Sequence, residues 1–222
     1  MLDRIEEGVW TTARRQRFWG VETGTRMNIV RLAEGGLFVH CPVALDETTR
    51  RDVDALGTVR AVLASSLFHH LYVGEWQTAY PDALFCACPG LERKRPDLRW
   101  DRILGDSPDE LWAGDFEQIF VSARFEKEVV FFHPKTRTLL CADALLNLSV
   151  HESGATRAVA FLMGNNAPGK GYFERIAVRD RRAARTQIDR MLSWDFDRII
   201  LAHGGMVESR GREVLREAYA WL

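Results

Sequence analysis

Apolar residues along this chain fall mostly in short blocks separated by polar turns, and spacing suited to a helix appears in only a few places. From Ile5 to Val39 the pattern is strand-like. Glu34-Gly35-Gly36, between Asn28-Ile-Val-Arg-Leu32 and Leu37-Phe-Val-His40, predicts a hairpin turn. Asp46 before Glu47–Leu56, with Gly57 after it, predicts a helix with an N-cap, an acidic first turn and a glycine stop. A strand from Val59 to Ser65 follows directly. Helical spacing returns over Leu71–Tyr80 until Pro81 halts it, and Ala83–Cys88 reads as a strand. Residues Pro89 to Gly114, rich in proline, glycine and charge, read as loop with at most short helices.

Three more strands are expected at Phe116–Ser122, Glu128–His133 and Thr138–Ala142, the last two joined at Pro134–Arg137. Gly164–Gly171 has the composition of a mobile loop placed to lie over a site. Asp180–Trp194 is amphipathic, with Ala184, Ile188, Met191 and Leu192 inward. A strand ending at His203 and a Ser209-capped helix running to Leu222 complete the chain. Both halves run strands first and helices after. That order predicts one α/β domain over residues 1–222: a four-layer αββα sandwich of two mixed β-sheets with outer helices.

Chemistry gathers at three strand ends. Arg198-Ile-Ile-Leu-Ala-His203-Gly-Gly205 delivers a histidine into a glycine turn, Asp143 follows Thr138–Ala142, and His69-His70 follow the strand from Val59. Ligands in layered α/β folds collect outside the carboxyl ends of strands, and His, Asp and His suit a divalent metal. Each residue also has a plainer reading: His203 hydrogen-bonded to a carbonyl at a strand end, Asp143 capping a turn. His40 and His133 lie on strands and read as satisfied core histidines, and His151 as a solvent-exposed loop residue.

Composition narrows the partners. Thirty basic and thirty-one acidic residues leave a net charge of −1, so no overall field favours nucleic acid or an anionic membrane. The basic runs at Arg93–Arg95 and Arg179–Arg185 read as solvated faces. The opening residues lack the pattern of a secretory signal and no apolar run reaches membrane-spanning length, so a cytoplasmic protein is expected. Cys41, Cys86, Cys88 and Cys141 lie in apolar, strand-like surroundings and are expected to be reduced and structural. Neither a Gly-x-Ser-x-Gly elbow nor a phosphate-binding loop accompanies the serines or Gly164–Lys170.

The order of a His-bearing turn after an early strand, an Asp after a middle strand and His-Gly after a late one resembles the metallo-β-lactamase fold superfamily. Leu67-Phe-His-His-Leu-Tyr-Val-Gly-Glu-Trp76, Tyr80-Pro-Asp-Ala-Leu84 and Leu37-Phe-Val-His-Cys-Pro-Val-Ala-Leu45 are similar to a branch of it catalogued as a domain of unknown function. The resemblance implies fold rather than substrate. Active members carry His-x-His-x-Asp-His. Laid on it, Ser66 and Phe68 stand at the first two histidines, His70 at the Asp and Leu71 at the final His. The family's Gly-His turn maps onto Ser122–Glu126, with Arg124 at the His position. One metal subsite is thereby lost. The other would comprise His70, Asp143 and His203, with His69 as alternate ligand, holding one Zn²⁺ or Fe²⁺ that lowers the pKa of water from about 15.7 toward roughly 7. Arg124 would orient a carboxylate, phosphate or developing oxyanion.

Two functions compete. One is a metal-dependent hydrolase of a small ester, amide, lactone, thioester or phosphoester. The other is a non-catalytic protein of the same fold that uses Arg124 and Lys170 to bind an anionic small molecule or a protein partner without metal. The substrate and the oligomeric state are not legible in the sequence.

Overall fold

The structure, a computed structural model, describes residues 1–122 and 127–222, the side chains of residues 173 and 174 excepted. In chain order the elements of the first half are β1 (Asp3–Glu6), β2 (Val9–Arg14), β3 (Arg17–Phe18), β4 (Val21–Glu22), β5 (Thr25–Arg31), β6 (Leu37–His40), α1 (Glu47–Leu56), β7 (Val59–Ala64), α2 (Val73–Ala79), β8 (Leu84–Ala87), α3 (Leu91–Lys94) and β9 (Arg102–Ile103). The second half holds β10 (Glu117–Val121), β11 (Glu128–His133), β12 (Thr138–Cys141), α4 (Gly154–Leu162), α5 (Tyr172–Ile176), α6 (Arg181–Leu192), β13 (Arg198–Leu201) and α7 (Gly211–Ala218). Among the described residues the strands form a seven-stranded sheet, β1-β2-β5-β6-β7-β8-β9, a four-stranded sheet, β10-β11-β12-β13, and the separate β3–β4 hairpin. Both large sheets are mixed. Antiparallel pairing as far as β6 gives way to parallel pairing from β6 to β9, and β12 pairs β13 in parallel.

The period-two alternation of side chains sorts the strands into layers. Ala61 and Leu63 of β7 point toward Val129 and Phe131 of β11 and Leu140 of β12 in the core between the sheets. Val62 and Ala64, one residue out of phase, face Val53 of α1 and Val73 and Trp76 of α2. On the other sheet Leu139 and Cys141 face Ile188 and Met191 of α6 and Leu215 of α7. Three apolar interfaces thus separate four layers, helices outside and sheets within. Trp76 is fully buried, and its indole N–H donates to the Val43 carbonyl at 2.8 Å, so its burial leaves no donor unpaired.

The helix over Glu47–Leu56 forms as its caps predict: the Asp46 carboxylate accepts from the Thr49 N–H, and Gly57 takes φ 142°. Elsewhere the structure departs from the sequence pattern. Ser209 does not cap the last helix. Asp197 instead accepts from the N–H groups of Arg210 and Gly211, and Arg210 enters the helix at φ 58°. Gly164–Gly171 is not loose. Leu146 and Gly169 exchange backbone hydrogen bonds, and Asn165 bonds the carbonyls of both. The helix α4, capped by Ser153, had no counterpart in the sequence pattern, because its exposed Phe161 and Leu162 blur the apolar face. His151 is half-buried rather than exposed. No helix among the described residues is long and apolar enough to cross a membrane.

Candidate metal centre

The two sheets meet in hydrogen bonds at one corner. Past the end of β7, the Ser65 carbonyl accepts from the Val129 N–H at 2.7 Å and the Leu67 N–H donates to the Lys127 carbonyl at 3.2 Å, which sets Ser66 beside Glu128. Past the ends of β12 and β13, the Ala202 N–H donates to the Cys141 carbonyl and the Asn147 N–H to the His203 carbonyl, so Asp143 and His203 emerge side by side. Arg26 of β5 clamps the same turn, donating to the carbonyls of Leu201 and Gly204 at 2.9 and 3.2 Å. Gly204 is required there: it holds φ 82°, and a Cβ on it would lie 1.9 Å from the Asn147 carbonyl oxygen.

This framework brings His69, Asp143 and His203 together, with one ligand atom of each within 4.8 Å of the others, the arrangement found among the described residues that could hold a metal ion. Asp143 Oδ1 lies 3.5 Å from His69 Nε2 and 3.4 Å from His203 Nε2. The two imidazole rings are tilted with centroids 5.1 Å apart. His203 Nδ1 lies 2.7 Å from the Gly24 carbonyl, to which it can only donate, so in the neutral ring the lone pair sits on Nε2, toward Asp143. His69 Nε2 is buried without a hydrogen bond. An orphaned ring nitrogen, a second imidazole lone pair and a carboxylate oxygen converging on one point fit a divalent cation, with the carbonyl-anchored histidine typical of metal ligation.

Burial opposes the Asp143 charge. Nearby His69, followed by His203, outweighs it and holds the carboxyl well below its usual range. Under Asp143, Glu128 accepts from the backbone N–H groups of Ala142 and Asp143 at 3.2 and 2.5 Å. Burial, then the Asp143 charge, pushes Glu128 up to about 7 against the pull of Lys170. Lys170, almost wholly buried, donates through Nζ to the Asp143 carbonyl, and Ser66 Oγ donates to Asp143 Oδ2 at 2.5 Å.

The placement of the two adjacent histidines differs from the expected one. His70 stands outside the group, and His69, expected as the alternate, faces Asp143. The reason is the turn over residues 69–72 that leads into α2 and points consecutive rings apart. Arg95, itself paired with Asp97, donates to His70 Nδ1 at 2.9 Å. Burial, followed by the charges of Lys94 and Arg95, pushes the His70 ring down to about 4. Arg124 lies outside the described residues. His40 is buried against Asn28, and His133 Nδ1 lies 2.7 Å from Thr136 Oγ1. The four cysteines are buried and unbridged. By sequence Ser66 stands only at a lost histidine and Lys170 is expected to bind an anion, whereas Lys170 is buried on the Asp143 carbonyl and Ser66 donates to the Asp143 carboxylate; Glu128 was missed. Glu128 carried one legible signal, a carboxylate opening a strand that is otherwise apolar as far as Phe132.

Next to His69 in sequence, Phe68 gathers aromatic and basic groups. Phe68 packs against Phe18 of the β3–β4 hairpin, Phe18 stacks on Trp19, and Trp19 is 92% exposed. Lys94 Nζ lies 4.7 Å over the Phe68 ring.

Residues 6–91 match the family described as "Domain of unknown function (DUF4336)". No curated protein matches the sequence. Among solved structures, the chain is similar to a metallo-β-lactamase from Pontibacter korlensis, with 13% identity, TM-score 0.68, and coverage of 99% of this chain and 97% of that one. It is similar to a metallo-β-lactamase from Hirschia baltica at 13% identity and TM-score 0.65, covering 99% and 96%. The FIM-1 metallo-β-lactamase of Pseudomonas aeruginosa, in its mono-zinc form, matches at 14% identity and TM-score 0.63 over 100% and 95%. In its element order, its two packed sheets and its outer helices, this chain has the metallo-β-lactamase fold.

Proposed function

We propose that the protein is a hydrolase dependent on a single divalent metal ion, Zn²⁺ or Fe²⁺, held by His69, Asp143 and His203, and acting on a small anionic ester, amide, lactone, thioester or phosphoester. The observation that carries this reading is the buried, unpartnered His69 Nε2, directed with His203 Nε2 at one oxygen of Asp143. A bound ion supplies Lewis acidity and a nucleophile from water near neutral pH. The chain supplies the rest. The Gly24 carbonyl fixes the His203 ring, Ser66 occupies the far oxygen of Asp143, and Asp143 stays ionised down to low pH. Lys94 over Phe68, with the exposed Phe18 and Trp19, places a cation beside an apolar surface next to His69 in sequence, which supports a substrate with a negative group next to a hydrocarbon or aromatic part.

The test is a panel of p-nitrophenyl esters, phosphoesters, lactones and thioesters offered to zinc-loaded protein beside a His203→Ala control. Turnover that disappears in the control supports the reading. Tight binding of an anionic compound by metal-free protein, with no turnover of any class, would favour a binding protein instead.

A further inference from the structure

Asp143 is engaged at every polar atom except one. Its N–H donates to Glu128 Oε2 at 2.5 Å, its carbonyl accepts from Lys170 Nζ, and its Oδ2 accepts from Ser66 Oγ at 2.5 Å. The remaining oxygen, Oδ1, is the one that faces both histidines. The three partners are 0 to 1% exposed and come from separate segments: the turn after β7, the start of β11 and the loop before α5. Glu128 spends its second oxygen on the N–H of Ala142, so one carboxylate receives two consecutive main-chain donors. Burying a lysine and a glutamate is costly unless their bonds are well made, and here those bonds converge on one aspartate.

We infer that Ser66, Glu128 and Lys170 are positioning residues that fix Asp143 so that it offers a metal ion Oδ1 alone; this rests on the metal-site reading above. Ser66 biases the choice of oxygen, because a hydroxyl donating to Oδ2 takes up one of its two lone pairs and draws charge away from a metal ion there, leaving Oδ1 the better donor. Glu128 sets the peptide plane. Only a carboxylate presents two acceptor oxygens to two N–H groups; glutamine would turn a donor against one of them. Lys170 holds the following peptide through the Asp143 carbonyl, so both peptides flanking Asp143 are fixed, and it ties the loop before α5 to the centre.

The test compares wild type with Ser66→Ala, Ser66→Thr, Glu128→Gln and Glu128→Asp. It reads zinc affinity by chelator competition, the visible spectrum of the cobalt-substituted protein, and the amide spectrum of the metal-free protein. Ser66→Ala is expected to weaken zinc by about 10-fold or more, and to weaken the cobalt bands as Oδ2 joins the coordination. Ser66→Thr, which keeps the hydroxyl, restores both. Read at about pH 8.5, where Glu128 is ionised, the Asp143 amide proton lies far downfield in metal-free wild type and moves upfield in Glu128→Gln. If Glu128→Gln does not fold, Glu128→Asp, which keeps both oxygens on a shorter stem, shows the shift in smaller measure. Wild-type zinc affinity and an unchanged cobalt spectrum in Ser66→Ala, or an Asp143 amide proton unmoved by the Glu128 variants, would overturn the inference. A wild type that binds neither metal removes the metal reading instead, and the amide comparison in metal-free protein then decides whether Glu128 holds the Asp143 peptide.

Discussion

Two histidines adjacent in sequence have opposite surroundings: His69 Nε2 faces Asp143 without a hydrogen bond, and His70 Nδ1 accepts from Arg95. His69→Ala should therefore lower zinc affinity by more than the roughly 10–100-fold typical of groups behind a ligand, whereas His70→Ala should stay within a few-fold. Chelator competition measures both, and the reverse ranking would return the site to His70. Asp143 and His203 were legible because each ends an apolar run. The choice between His69 and His70 was not, since ring direction depends on a tight turn that no register of sequence positions encodes. A separate titration belongs to His40, fully buried against Asn28 and pushed down to about 3 by burial and then by His69. The folded state keeps this ring neutral, while the unfolded chain takes a proton below about 6.5. The unfolded state thus binds more protons between about pH 3 and 6.5, and stability falls as pH falls through that window, by up to about 1.4 kcal/mol per pH unit for this group. In urea unfolding of metal-free protein, wild type should gain more stability from about pH 5 to about pH 7 than His40→Asn; equal changes would mean that His40 is already charged in the fold. Glu128, with its pKa raised to about 7, acts in the opposite sense between about 4.5 and 7, so the His40 effect is read as the difference between variant and wild type.

Elements deliver these residues through their ends. The turn after β13 depends on Gly204, where an added Cβ meets the Asn147 carbonyl at a backbone angle that side chains rarely adopt. Gly204→Ala should cost more than about 2 kcal/mol of stability and lower zinc affinity too, because the same turn carries His203. Asp46→Ala removes the cap of α1, far from the centre in sequence, and should cost about 1 kcal/mol with zinc affinity unchanged. Thermal and chelator measurements on the pair separate a turn that shapes the site from a helix that only supports the fold; a Gly204→Ala protein with native affinity would contradict that division. Caps and alternation made α1, β7, β11, β12 and α6 readable, since each rests on local chemistry. The last helix misled because its start is held by Asp197, a residue outside it, rather than by its own cap. The Gly164–Gly171 loop misled because its composition says turn while the Leu146–Gly169 bonds and buried Lys170 say anchor.

At the scale of the whole molecule, the site lies where the two sheets share hydrogen bonds, so ligands from β7, β12 and β13 span both halves of the chain. An ion bound there links the halves and must stabilise the fold: at 100 times its dissociation constant zinc adds about 2.7 kcal/mol. The melting temperature should rise with zinc in wild type and not in Asp143→Ala; equal rises would place the binding elsewhere. Whether His69, Asp143 and His203 hold one metal ion is read by elemental analysis with plasma mass spectrometry of protein purified without a metal-affinity tag, beside His203→Ala. The expectation is about one zinc or iron per chain in wild type and none in the variant. Metal-free wild type, or a variant that keeps its metal, would contradict it.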